Sequence, residues 1–158
     1  MPEFLRERCA ISDFIENHDL LAVGCHDTAQ YDLIVQAHGH FPKSVVRMLP
    51  TEAELLKYYS NTFNAMKVVF ANTMYEVSEK LGIDYQVVKS AFIQRGTASD
   101  MYLDVNENFR GYGGVCLPKD TSAMACFVKN IGLNLGLFET LRGENSKFKT
   151  TVYKGMRK

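Results

Sequence analysis

The sequence predicts a mainly helical fold built on one long helix, with further helices packed around it and a short α/β segment ahead of it. Three observations carry that reading. Apolar residues recur at helical spacing from Leu55 to Leu81, with no glycine or proline among them. Capping residues and glycines then mark the limits of further helices. Before Pro50 the pattern is irregular, with only two short apolar runs of strand type.

In chain order, Leu20-Leu21-Ala22-Val23-Gly24 reads as a buried strand, Asp32 to His38 as a short helix, and Ser44 to Met48 as a second strand. Two strands alone make no stable sheet, so this segment is expected to be the edge of something larger. Thr51-Glu52-Ala53-Glu54 has the form of a capping box. The apolar positions that follow are Leu55, Tyr59, Phe63, Met66, Phe70, Met74, Val77 and Leu81, one face of a helix over 51–81 that Gly82 ends. A helix of that length is expected to pack on a partner, a second subunit above all. Asp84 caps a second helix through Phe92, a third runs from about Lys119 to Asn130, and a fourth covers Leu135 to Tyr153. Phe63, Phe70, Phe92 and Phe127 are expected in the core.

Composition excludes several classes. The 158 residues carry 18 Lys+Arg against 18 Asp+Glu, a net charge of zero, which leaves no footprint for nucleic acid or an acidic membrane surface. No apolar run approaches the ~20 residues of a membrane span. The charged N-terminus does not read as a signal peptide. Cys9, Cys25, Cys116 and Cys126 form no C-x-x-C pair and are expected as reduced thiols of a cytoplasmic protein. Cys9, Cys25, His26, His38 and His40 lack the paired spacing of a structural zinc site, so no metal is expected.

The segment Phe109 to Asp120 differs in kind: three glycines precede Cys116, and Pro118-Lys119-Asp120 enters a helix. A thiol in the positive end of a helix dipole, beside a lysine, is favoured as thiolate. Glycines beside it leave room for a substrate. A tight turn around a buried thiol is the other reading.

GYGGVCLPKD (Gly111–Asp120) resembles the active-site cysteine motif of the UDP-glucose/GDP-mannose dehydrogenase family. PEFLRE (Pro2–Glu7) and ELLKYYSNTF (Glu54–Phe63) resemble two further family segments, in the same order. The first lies at the end of the family's nucleotide-binding domain and the second at the start of its central helix. GYGG with CLPKD is most similar to the bacterial UDP-glucose branch. The resemblance implies residues 1–50 as the fringe of an NAD-binding Rossmann domain and 51–158 as the central helical dimerisation and catalytic domain.

The resemblance also implies an NAD-dependent double oxidation of a sugar C6 alcohol to a uronic acid, through a cysteine thiohemiacetal and thioester. In it Cys116 is the nucleophile and Lys57 stabilises the oxyanion, with Asn61 one turn along. Asp120 orders water or acts as base, and Glu3 serves thioester hydrolysis. Glu3, Phe4, Leu5, Glu7, Lys57, Asn61, Gly111, Tyr112, Gly113 and Gly114 contact the substrate, and Glu7, Cys116 and Lys119 the cofactor. The chemistry suits these residue types: a thiolate adds to a carbonyl and leaves from a thioester, a fixed cation meets the developing charge, and a carboxylate serves as base.

The sequence also departs from the family pattern. No G-x-G-x-x-G occurs. Asp100, sixteen residues before the cysteine, stands where the family has an arginine used across the dimer, and Arg8 replaces a glycine. The expected function is thus a UDP-glucose 6-dehydrogenase in fragmentary or truncated form, inactive by itself. A homodimer through helix 51–81 and a separate chain supplying the missing domains are the candidate partners. The alternatives are a GDP-mannose or UDP-N-acetylmannosamine dehydrogenase fragment, or a non-catalytic helical dimerisation module.

Overall fold

The structure, a computed structural model, describes residues 1–6 and 9–149. The chain forms two compact units, Met1–Ser60 and the chain from Asn61 onward.

The first unit contains α1 (Ala10–Ile15), β1 (Leu21–Gly24), α2 (Thr28–His38), β2 (Val45–Met48) and the opening turns of α3 (Pro50–Leu81). β1 and β2 pair in parallel, Leu21 opposite Val45 and Gly24 opposite Met48, with α2 as the crossover. Leu21, Ala22 and Val23 are buried, as an apolar run in a covered strand must be, and Tyr31, Ile34 and Val45 pack on them. α2 starts four residues earlier than expected because Asp27 caps it, its carboxylate accepting from the Ala29 amide at 2.8 Å.

α1 has no counterpart in the sequence reading, since six residues are too few for periodicity to register. Its Asp13 is buried and accepts from the Arg6 amide at 2.8 Å and from Arg6 Nε at 2.9 Å. The Arg6 guanidinium holds that carboxyl down to about 2.

α3 opens on Pro50, and Glu52 reaches back to accept from the Leu49 amide at 2.7 Å. Thr51 is therefore inside the helix and is not its cap. The capping contact forms two residues ahead of the expected box, because a proline suits the first helical position.

The second unit continues α3 and adds α4 (Tyr85–Gln94), α5 (Cys116–Asn130) and α6 (Leu137–Asn145). Gly82, at φ 65°, closes α3, and Asp84 caps α4 by accepting from the Gln86 amide at 2.7 Å. One core cluster joins Ala65, Val68 and Val69 of α3 to Tyr112 and Leu141; another joins Ala71 to Tyr85, Leu103 and Val105. Each fully buried aliphatic side chain here contributes about 1.5–3 kcal/mol. Lys89 pins the segment before the site to α4, bonding Asp100 at 2.9 Å and also Asp104.

Two expectations about helices change. α6 ends at Asn145, whose side chain turns inward to backbone, whereas a helix running to Tyr153 was expected; residues from Thr150 lie outside the described ones. The apolar stripe of α3 is also not the face this chain buries. Leu55, Tyr59, Phe63, Phe70, Val77 and Leu81 are exposed, from 43% at Val77 to 71% at Tyr59. The buried positions of the helix are small or polar: Ala53, Asn61, Thr62, Ala65, Val68, Val69, Ala71, Asn72 and Ser78. Phe127 is exposed too, and Phe92 is half-buried. No described helix is long and apolar enough to cross a membrane.

Candidate functional site

In the second unit, Cys116 is the first residue of α5 and is exposed. The helix starts three residues earlier than the sequence suggested, because Pro118 falls in the first turn, where its missing N–H has no intrahelical partner to lose. Val115, in the cap position, has no side-chain acceptor for the first-turn amides. Those N–H groups and the dipole end therefore face the neighbourhood of the thiol, where negative charge is stabilised.

Asp120 lies one turn after Cys116, so both fall on one helix face. Its carboxylate is 2% exposed. Asn61 Nδ2 of α3 donates to Asp120 Oδ2, and Lys119 Nζ pairs with Oδ1. An amide and an ammonium thus hold the buried anion, as such a group requires. Cys126, on the same helix, is exposed without a helix terminus beside it.

The loop ahead of Cys116 is held by residues the sequence reading did not single out. Asn72 Oδ1 accepts from Arg110 Nε at 2.8 Å and from the Gly111 amide at 3.2 Å. Asn145 Oδ1 accepts from the Tyr112 amide at 2.7 Å, and its Nδ2 donates to the Tyr112 carbonyl at 2.9 Å. Arg110 also pairs with Glu76 and lies over the Tyr75 and Phe148 rings. The only signal for Asn72 was a polar residue in the interior of a long helix, and for Asn145 there was none. Tyr112 is a core residue whose hydroxyl shares a hydrogen bond with Thr121; burial pushes its phenol up. Gly111 at φ 51° and Gly114 at φ 78° take left-handed backbone, which glycine adopts without strain. Gly113 is half-buried and Gly114 is exposed.

In the first unit, Lys57 Nζ donates to the carbonyl oxygen of Glu3 and lies 5.5 Å from the Phe4 ring centroid. The Glu3 residue is exposed, and Phe4 and Leu5 are half-buried. Glu7 lies outside the described residues. The structure thus brings Lys57 to Glu3 in one unit and Asn61 to Asp120 in the other.

The βαβ segment of the first unit does not fit a dinucleotide. A pyrophosphate needs open amides at the N-terminus of the helix after β1. There Asp27 already occupies the Ala29 amide with a carboxylate, which repels a phosphate.

The profile of the UDP-glucose/GDP-mannose dehydrogenase family, central domain, matches residues 51–147. A UDP-glucose 6-dehydrogenase of Bacillus subtilis (strain 168) is 31% identical over 146 residues, which are 92% of this chain and 31% of that protein. A GDP-mannose 6-dehydrogenase of Pseudomonas putida is 28% identical over 148 residues, 91% of this chain and 32% of that protein. The solved structure of a UDP-glucose dehydrogenase from the hyperthermophilic archaeon Pyrobaculum islandicum matches with a TM-score of 0.84 at 32% identity. That match covers 92% of this chain and 33% of the other. The chain spans about a third of the length of these relatives.

Proposed function

The chain belongs to the UDP-glucose/GDP-mannose dehydrogenase family, and from that premise we propose that it carries the thiol site of a nucleotide-sugar 6-dehydrogenase acting on UDP-glucose. The observation that supports this is the exposed Cys116 at the start of α5, with the buried Asp120 one turn behind it.

Two half-reactions fall to these residues. In the first, the Cys116 thiolate adds to a C6 aldehyde: the S–C bond forms and the carbonyl electron pair moves to oxygen. The first-turn amides of α5 stabilise that oxyanion. In the second, once that adduct has given up its hydride to NAD to leave a Cys116 thioester, water adds to the thioester, the C–S bond breaks, and the thiolate leaves. Asp120 takes up the proton of the attacking water, held in place by Asn61. Lys57 as oxyanion cation and Glu3 as hydrolytic carboxylate carry over from the motif resemblance. We assign the NAD site to residues other than the βαβ segment, whose helix N-terminus carries its own anion. The chain alone is then expected to form no NADH from UDP-glucose and NAD, and absorbance growth at the NADH wavelength would refute this.

The exposed stripe on α3 supports a second copy of the chain as partner. Left in water, six large apolar side chains on one helix face forgo their burial.

The test of the thiol site is competitive labelling with a limiting amount of iodoacetamide, followed by peptide mapping. Cys116 is expected to label ahead of Cys126, also exposed but mid-helix, and well ahead of the buried Cys25. Equal labelling of Cys116 and Cys126 would remove the basis for a special thiol.

A further inference from the structure

Tyr112 is held on three sides within the second unit. Asn145, the last residue of α6, closes a two-bond ring with its backbone, at 2.7 Å to the N–H and 2.9 Å to the C=O. Its ring sits in the core cluster with Ala65, Val68, Val69 and Leu141. Its hydroxyl meets Thr121, one residue past Asp120 on α5, and Thr121 Oγ1 donates back to the Leu117 carbonyl at 2.7 Å. Asn72, fully buried, fixes the two residues before it. Only Gly113, Gly114 and Val115 then separate the fixed backbone from Cys116.

Nothing in helix propensity asks for a buried asparagine at the end of α6. An apolar residue there would take from the buried Tyr112 N–H and C=O the partners that Asn145 supplies. A side-chain amide that offers both its acceptor and its donor to one residue's backbone imitates a strand partner. It fixes that residue's position and its orientation together. We propose that Asn145, with Asn72, is a positioning residue for Cys116: the two asparagines hold the loop at 110–112 so that α5 begins at the thiol. The proposal rests on the reading of Cys116 as the reacting thiol. With the clamp gone, the first turn of α5 frays, and the thiol loses the amides and dipole that favour attack.

The experiment compares the 158-residue chain with Asn145→Leu and Asn145→Asp, reading the ratio of Cys116 to Cys126 alkylation rates under native conditions. Both thiols sit on α5, so the ratio cancels changes in overall folding. Asn145→Leu removes both hydrogen bonds, and the ratio is expected to fall about twofold to fivefold, the range a helix dipole supplies. Asn145→Asp keeps the acceptor for the Tyr112 amide but sets a carboxylate against the Tyr112 carbonyl, and is expected to fall between. A ratio that is high in the unaltered chain and unchanged in folded Asn145→Leu overturns this proposal alone. A ratio near one in the unaltered chain overturns the thiol reading and this proposal with it. Hydrogen exchange on the unaltered chain keeps the question open to decision if Asn145→Leu does not fold. The Tyr112 amide is expected to exchange at least about a hundredfold more slowly than that of Gly114. Comparable rates would show that no clamp exists.

Discussion

Asn61 donates its side-chain amide to a carboxylate oxygen of Asp120, fifty-nine residues further along the chain. The bond joins α3 to the first turns of α5, and its acceptor belongs to a buried residue. Lys119, the other partner of that carboxylate, reaches it from a largely exposed side chain. Asn61 is therefore the partner that ties the buried Asp120 side chain to α3, beside its pair with Lys119.

Asn61→Ala should cost about 1–3 kcal/mol, the range for stranding a buried hydrogen-bonding group. Urea unfolding of the second unit gives the number. A change under a few tenths of a kcal/mol would mean that water or Lys119 replaces the amide.

Alkaline pH should unfold the second unit through its tyrosines. Burial pushes the Tyr85 hydroxyl up to about 12 from an ordinary 10.0, and it donates to the Leu103 carbonyl at 2.8 Å. Folding thus favours the protonated phenol. Its contribution is complete below pH 10 and is lost as pH rises through about 12. Burial moves Tyr75 and Tyr112 in the same direction. Tyr85→Phe should remove part of the pH dependence in that window at a cost of about 0.5–1.5 kcal/mol at neutral pH. Denaturant midpoints measured across the window decide it, and parallel curves for the two proteins would exclude Tyr85 as a source.

Phe70→Glu should shift the chain from dimer to monomer in light scattering coupled to gel filtration. Phe70 is 54% exposed in the single chain, so the stability lost should be only what the second copy adds: the unfolding midpoint of the parent should rise with protein concentration and that of Phe70→Glu should not. A parent chain that already elutes as a monomer would sink the dimer reading.

The α3 stripe also shows what the sequence could and could not disclose. The repeating spacing from Leu55 to Leu81 is a property of one helix, and the helix is there from Pro50 to Leu81. Which face the chain itself covers depends on what packs against it, and the packed face is made of alanine, valine, asparagine, threonine and serine. Small side chains allow close approach of backbones yet hardly register in an apolar pattern. At the site, Cys116 was legible as a thiol beside a helix start, but its one-turn spacing to Asp120 was not, because the helix was expected to begin only at about Lys119. The Asn145–Tyr112 pairing spans thirty-three residues and two elements, and no local pattern encodes it. The early start of α5 was hidden by Pro118, which reads as a breaker unless its first-turn position is known.

Gly24 ends β1 where the chain comes closest to the start of α3. A Cβ placed there would lie 2.8 Å from the Ala53 side chain and 2.9 Å from the Pro50 backbone. The mutational latitude of position 24 is consequently set elsewhere, at positions 50 and 53. In a saturation library the glycine codons at 24 should be nearly alone among survivors. Trimming Ala53 to glycine relieves one of the two contacts and leaves the Pro50 backbone in place, so no single second-site change opens the position. Gly39, at φ 57° with nothing within 4 Å, is the reverse case. Its limit is backbone conformation alone: φ 57° with ψ −130° lies outside the left-handed helical region, so any side chain there is strained despite the open space.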